Sequence, residues 1–151
     1  MSERDPALFS CPTVDVVVST HGGPVRILNG NTGAELASVA GNAAGYYGAT
    51  VFDFDRDGVL DFAIMGHKFE VAGSQAKWPP PLYNNWLYRG KGGWVFEDVS
   101  ALLPKTPQGV AFMGTWFDHD GDGDDDLYIV NDFGDIIEPN HLFDNQLDGK
   151  G

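Results

Sequence analysis

The stretch Phe52-Asp53-Phe54-Asp55-Arg56-Asp57-Gly58-Val59-Leu60-Asp61-Phe62-Ala63-Ile64 can be laid over Phe117-Asp118-His119-Asp120-Gly121-Asp122-Gly123-Asp124-Asp125-Asp126-Leu127-Tyr128-Ile129 at an offset of 65 residues. The register extends both ways. Tyr47 falls on Phe112, Thr50 on Thr115, and Asn85-Trp86-Leu87-Tyr88 on Asn140-His141-Leu142-Phe143, with the second connecting loop ten residues shorter. A worn third copy lies at the start, where Asp15-Val16-Val17-Val18 resembles Asp61-Phe62-Ala63-Ile64 and Val25-Arg26-Ile27-Leu28 takes the place of Trp86-Leu87-Tyr88. Such self-similarity marks a chain built from stacked supersecondary units.

Each unit reads as β. Short runs rich in β-branched and aromatic residues alternate with turn signals, at Val14–Thr20, Val25–Leu28, Glu35–Val39, Ala49–Phe54, Asp61–Met65, Trp86–Tyr88, Trp94–Val99, Val110–Phe117, Asp126–Val130 and His141–Phe143. Asn29-Gly30-Asn31-Thr32-Gly33 and Lys91-Gly92-Gly93 are hairpin turns, because Gly and Asn accept positive φ at little cost. About four strands per unit at this period is the pattern of a propeller blade. The expected fold is therefore all-β, with two to three four-stranded antiparallel β-propeller blades. Residues 1–44 form a degenerate partial blade, 45–103 a complete one and 104–151 another partial one. Closed propellers need roughly 4–8 blades, and open strand edges invite pairing. One complete and two partial blades thus imply an incomplete ring, part of a larger propeller or completed by another chain.

Both acidic loops fit Asp-x-Asp-x-Asp-Gly-x-x-Asp. In a tight loop, alternate side chains turn toward one centre. Positions 1, 3 and 5 then deliver carboxylates, glycine at position 6 allows the bend, position 7 offers a backbone carbonyl and position 9 a fourth carboxylate. So many hard oxygens suit Ca²⁺, which takes 6–8 of them in flexible geometry, better than Mg²⁺, which demands an octahedral shell and keeps its waters. Two Ca²⁺ sites are expected: Asp53, Asp55, Asp57, the Val59 carbonyl and Asp61, and then Asp118, Asp120, Asp122, the Asp124 carbonyl and Asp126. Asp125 reads as rim charge. An EF-hand begins identically but needs a Glu at position 12 and flanking helices. Position 12 is Ile64 in one loop and Ile129 in the other, between β-rich flanks. Unneutralised carboxylates this close would repel one another, which favours a resident cation over a bare acidic turn.

At these residues the chain resembles the FG-GAP/VCBS repeat family, which includes integrin α-subunit propellers. Tyr47-Gly48-Ala49 before the first loop is a loose form of that family's pattern. Phe117–Gly134, Asn140–Phe143 and Trp94–Ser100 are most similar to blades of the ASPIC/UnbV and cartilage-acidic-protein group. The resemblance implies a propeller of about seven blades with calcium in the blade loops. It also implies protein–protein binding, cell adhesion or assembly in an extracellular or other extracytoplasmic setting, without catalysis. Two features depart from the pattern. The number of units is short, and Cys11-Pro12-Thr13 stands where the first copy should carry acids.

Composition narrows the partners. With 22 acidic and 9 basic residues the formal charge is −13, which disfavours nucleic acid and anionic membranes. A 42% hydrophobic content is enough for a core, and no apolar run approaches the ~20 residues of a membrane span. One cysteine rules out an intrachain disulfide, and His21, His67, His119 and His141 lack metal-ligand spacing. Met1-Ser2-Glu3-Arg4-Asp5 carries no visible export signal. Within the insertion at 68–84, Trp78, Pro79, Pro80 and Pro81 form a stiff polyproline-II arm suited to docking a partner or to folding back on its blade. Phe133, Ile136 and Ile137 make the loop 132–139 apolar enough to pack on a neighbour. Trp86, Trp94 and Trp116 are expected in packing rather than on sugars. No nucleophile elbow, phosphate loop or zinc pattern is present, so no catalysis is assigned. Two other readings stay open: a carbohydrate-binding, lectin-like propeller, and an accessory piece of a larger secreted enzyme.

Overall fold

The computed structural model of the chain describes residues 15–18, 23–43, 49–67, 85–103, 110–132 and 138–146. Among the described residues the strands are β1 (Val16–Val18), β2 (Gly23–Leu28), β3 (Glu35–Ala43), β4 (Ala49–Phe52), β5 (Asp61–Ile64), β6 (Trp86–Gly90), β7 (Phe96–Asp98), β8 (Ala111–Phe117), β9 (Asp126–Asn131) and β10 (His141–Phe143). A 3-10 turn at Ser100–Leu102 follows β7, and no helix among the described residues is long and apolar enough to cross a membrane. The strands form three antiparallel meanders, ordered β1-β2-β3, β4-β5-β6-β7 and β8-β9-β10. The first sheet falls within residues 1–44, the second within 45–103 and the third within 104–151. The protein is all-β, and among the described residues no sheet closes on itself.

Strand register makes the three units equivalent position by position. Val17 pairs with Ile27, Ala63 with Leu87, and Tyr128 with Leu142. The second sheet is sandwiched between the other two, which explains why β5 reads as an unbroken apolar run. Alternate side chains of a strand leave on opposite faces. Phe62 and Ile64 pack with Tyr88 and Val25 toward the first sheet, with Val17, Val39, Trp86 and Phe96 around them. Ala63 and Met65 pack with Leu87, Phe54, Ala111, Leu127 and Ile129 toward the third. Phe62 stacks on Tyr88 at 4.9 Å and meets Phe96 edge-on at 5.0 Å. Trp116 stacks on Phe52 at 5.8 Å and on Phe54 at 6.1 Å. An isolated bridge between His67 and Val110, with the Ala111 N–H donating to the Gly66 carbonyl at 3.2 Å, ties the second sheet to the start of β8.

Several local expectations resolve differently. The hairpin at 29–33 forms, but only Gly33 takes positive φ; Asn29 organises the turn instead, its Oδ1 accepting the N–H groups of Asn31 at 3.1 Å and Thr32 at 3.0 Å. Trp94 departs from the reading. It lies in the turn before β7 at φ 64 and is 45% exposed, so it is not a packing residue. The two glycines before it prolong the turn, and the strand begins only at Phe96. Trp78, Pro79, Pro80, Pro81, Phe133, Ile136, Ile137 and the Cys11-Pro12-Thr13 segment lie outside the described residues.

The two acidic loops bend alike. Gly58 and Gly123 have φ 86 and 98, and two residues earlier Arg56 and Gly121 have φ 58 and 81. Arg56 thus holds a left-handed conformation that its counterpart meets with glycine. That conformation costs a side-chain-bearing residue roughly 1–2 kcal/mol. Arg56→Gly is expected to raise stability by about 1 kcal/mol, read as a higher urea midpoint at unchanged slope. An unchanged or lower midpoint would contradict this account of the loop.

Candidate metal centre

Each loop gathers three carboxylates. Ligand atoms of Asp53, Asp55 and Asp57 lie within 4.8 Å of one another, and so do those of Asp118, Asp120 and Asp122. Asx-type hydrogen bonds hold the side chains inward. Asp53 accepts the N–H groups of Asp57 at 3.1 Å and Gly58 at 2.9 Å, and Asp57 accepts that of Val59 at 2.8 Å. In the second loop Asp118 accepts Gly121 N–H at 2.6 Å, Asp120 accepts Asp122 N–H at 3.1 Å and Asp122 accepts Asp124 N–H at 3.0 Å. A divalent ion fits such a trio because it replaces mutual repulsion by attraction and recruits hard oxygens. His119, Asp120 and Asp126 form a third close group that shares Asp120 with the second trio.

The ninth-position aspartates stand outside these two trios. Asp61 is 1% exposed and accepts the Phe54 N–H through Oδ2 at 2.9 Å and the Gly90 N–H through Oδ1 at 2.7 Å. Asp126 is fully buried and does the same with His119 N–H at 2.9 Å and Asn145 N–H at 2.8 Å. Donor and acceptor positions are equivalent in the two units. Each aspartate therefore latches its loop to the end of the third strand of its own sheet. The first unit keeps half of this latch, since Asp15 Oδ1 accepts the Gly30 N–H at 3.1 Å at the corresponding place. A second repeated tie joins the sheets' other ends. Asn85 Oδ1 accepts Gly66 N–H and Asn140 Oδ1 accepts Asn131 N–H, both at 2.9 Å.

The remaining sequence-derived candidates are Val59 and Asp124. Val59 is half-buried and packs beside Gly90. Asp124 was expected to offer its carbonyl, yet its carboxylate is the notable feature: the residue is 6% exposed and its Oδ1 has no hydrogen-bond partner. Arg89 was not singled out from the sequence. Its Nε lies 2.7 Å from Asp55 Oδ2, and its guanidinium lies 5.5 Å from the Phe54 ring centroid. Nothing local signals that pairing, because it links a residue of the acidic loop to one in β6. Asn145, also missed, donates through Nδ2 to the Phe54 carbonyl at 2.9 Å and so joins the two loop regions.

The two latches differ electrostatically. Burial pushes the Asp61 carboxyl up to about 6, with the Gly90 and Phe54 N–H groups pulling against it and the charges of Asp55 and Asp53 adding to it. Burial also acts upward on Asp126, but the His119 and Asn145 N–H groups and the His119 ring outweigh it, and its pKa falls below the usual carboxylate value. His119 Nδ1 lies 2.6 Å from Asp126 Oδ2, and this hydrogen bond raises the imidazole's pKa. The signs are opposite. With divalent ions chelated, the Asp61 contribution is full below pH 3.8 and is lost as pH rises through about 6. The Asp126 contribution is present above 3.8 and is lost as pH falls through its depressed value. The His119 contribution is present below 6.5 and is lost as pH rises through its raised value. Carboxyl ¹³C titration in EDTA is expected to place Asp61 well above Asp126, and coincident titrations would refute the asymmetry.

Comparison with family models, with curated proteins and with solved structures gives no match for this chain.

Proposed function

We propose that the chain is a calcium-binding, non-catalytic stack of β-propeller blades of the FG-GAP/VCBS kind, serving as a protein-binding or assembly module in an extracytoplasmic compartment. One observation carries this reading: the second and third sheets present the same loop, with three converging carboxylates and the same aspartate latch, in the same register. Calcium would bridge the strand before each loop to the strand after it. Sites made of exposed loop carboxylates suit the weak affinity, about 10⁻⁴–10⁻³ M, of modules that work in millimolar calcium.

The assembly part rests on how the sheets stack. The second sheet turns one face to the first sheet and the other to the third. On the third sheet the outward face carries Met113, Phe117 and Leu142, which are 47%, 41% and 41% exposed. Tyr128 and Val130 lie between them on β9, opposite Leu142 and Met113. A face of this composition matches the surfaces that the first two sheets use to receive their neighbours. It is suited to a further β-sheet unit or a protein partner rather than to nucleic acid.

Thermal unfolding with and without calcium tests the reading. At 1 mM Ca²⁺, sites with Kd of ~10⁻⁴ and ~10⁻³ M add about 1.4 and about 0.4 kcal/mol. Together they correspond to a rise of roughly 4–7 °C in Tm, reversed by EDTA. Indifference to both reagents would reject structural calcium.

A further inference from the structure

The repeat makes the two acidic loops equivalent in backbone, and the side chains around them break that equivalence. In the first unit Arg89 follows Tyr88 on β6. It lays its guanidinium over Phe54 and pairs through Nε with Asp55 Oδ2 at 2.7 Å. Both partners are well covered, Arg89 being 25% and Asp55 13% exposed, so this is a packed ion pair and not a surface contact. One carboxylate of the first trio is already neutralised from within. A cation entering that loop must share Asp55 with the guanidinium or displace it.

In the second unit the register pairs Leu127 with Phe143 as it pairs Phe62 with Tyr88. The residue at Arg89's place is therefore Asp144, and a positive charge is exchanged for a negative one. Asp124 adds a separate observation. It is 6% exposed, its Oδ1 is buried with no hydrogen-bond partner, and its carboxyl stands against that of Asp122, a member of the trio. A buried carboxylate oxygen without a donor is unfavourable; the Arg56 charge acts on it without a hydrogen bond, and a cation held by the neighbouring carboxylates would satisfy it. The corresponding residue of the first loop is Val59, which has no such oxygen.

On the reading of these loops as calcium sites, we propose that they are unequal and fill in order. The second, with Asp118, Asp120, Asp122 and the Asp124 carboxylate, takes a calcium-sized divalent cation first. The first takes it more weakly, because Arg89 is a built-in counter-ion on Asp55. The loop with an internal guanidinium keeps its shape without metal, and the loop without one depends on it. Opposite charges a few ångströms from a divalent ion change its binding by at least ~10-fold even at a screened, protein-like dielectric.

Calorimetric titration of the full chain with CaCl₂ tests this. The wild type should show two binding steps separated at least tenfold in Kd. Asp120→Asn should remove the tighter step and Asp57→Asn the weaker one. Arg89→Gln, which keeps most of the apolar stem over Phe54, should tighten the weak step about tenfold and leave the tight one in place. Asp124→Asn should weaken the tight step alone. Circular dichroism of each variant checks that the sheets remain folded. Two steps of equal affinity, a reversed assignment by the Asp57 and Asp120 variants, or a weak step unmoved by Arg89→Gln would overturn the ordering while calcium binding itself stood. Absence of any binding at millimolar calcium would remove both the ordering and the reading beneath it.

Discussion

Asp61→Ala is expected to cost about 4 kcal/mol, because it orphans two buried backbone donors in one step. The N–H groups of Phe54 and Gly90 point at the two oxygens of this carboxylate at 2.9 and 2.7 Å, and Asp61 is 1% exposed, so water cannot take its place without opening the sheet. Each unsatisfied buried donor costs roughly 1–3 kcal/mol. A domain whose whole stability is about 5–15 kcal/mol loses a large share of it. Two comparisons isolate the cause. Asp61→Asn keeps one acceptor oxygen and removes the buried charge, and should lose about half as much. Asp15→Ala removes the equivalent bond to Gly30, which is exposed to solvent, and should cost no more than about 0.5 kcal/mol. Urea unfolding in EDTA reads all three. An Asp61→Ala loss no greater than that of Asp15→Ala would show that the latch does not hold the loop to the sheet.

Gly90→Ala is expected to cost about 3 kcal/mol through the same junction. A Cβ at Gly90 would lie 2.5 Å from the Leu60 carbonyl oxygen and 2.7 Å from Val59 Cγ1. The side chain could turn aside, but the carbonyl belongs to backbone that Asp61 anchors to Gly90 itself. Relief therefore requires breaking the Asp61–Gly90 bond or displacing the end of the acidic loop. The variant should unfold at lower urea and should lose affinity for divalent cation at the first loop, leaving the second untouched. The second unit provides the contrast, since Asn145 carries a full side chain at the equivalent place. Wild-type stability in Gly90→Ala would mean that the first loop is free to shift away from β6.

Much of this architecture was legible in the residues. Ile64 and Ile129, which argued against an EF-hand, are fully buried strand residues in β5 and β9. Ten β-rich runs became ten strands, with errors at their ends such as Trp94, where three successive residues of positive φ delay the strand. The converging trios follow from spacing within five residues, a range over which backbone geometry alone decides where side chains go. The ninth-position aspartates have backbone partners that their spacing does not reveal. Their spacing reads as a ligand position, and their oxygens also accept donors 7 and 29 residues away in one unit and 7 and 19 in the other.

By itself the amino-acid sequence determined the repeat, the β character and the two acidic loops, because each depends on interactions between residues a few positions apart. Only the tertiary structure decided which face of the second sheet meets which neighbour. It alone brought Arg89 against Asp55, closed Gly90 onto Leu60 and buried Asp124 without a donor. Those contacts depend on strand register and on sheet stacking, which place residues side by side that are far apart along the chain.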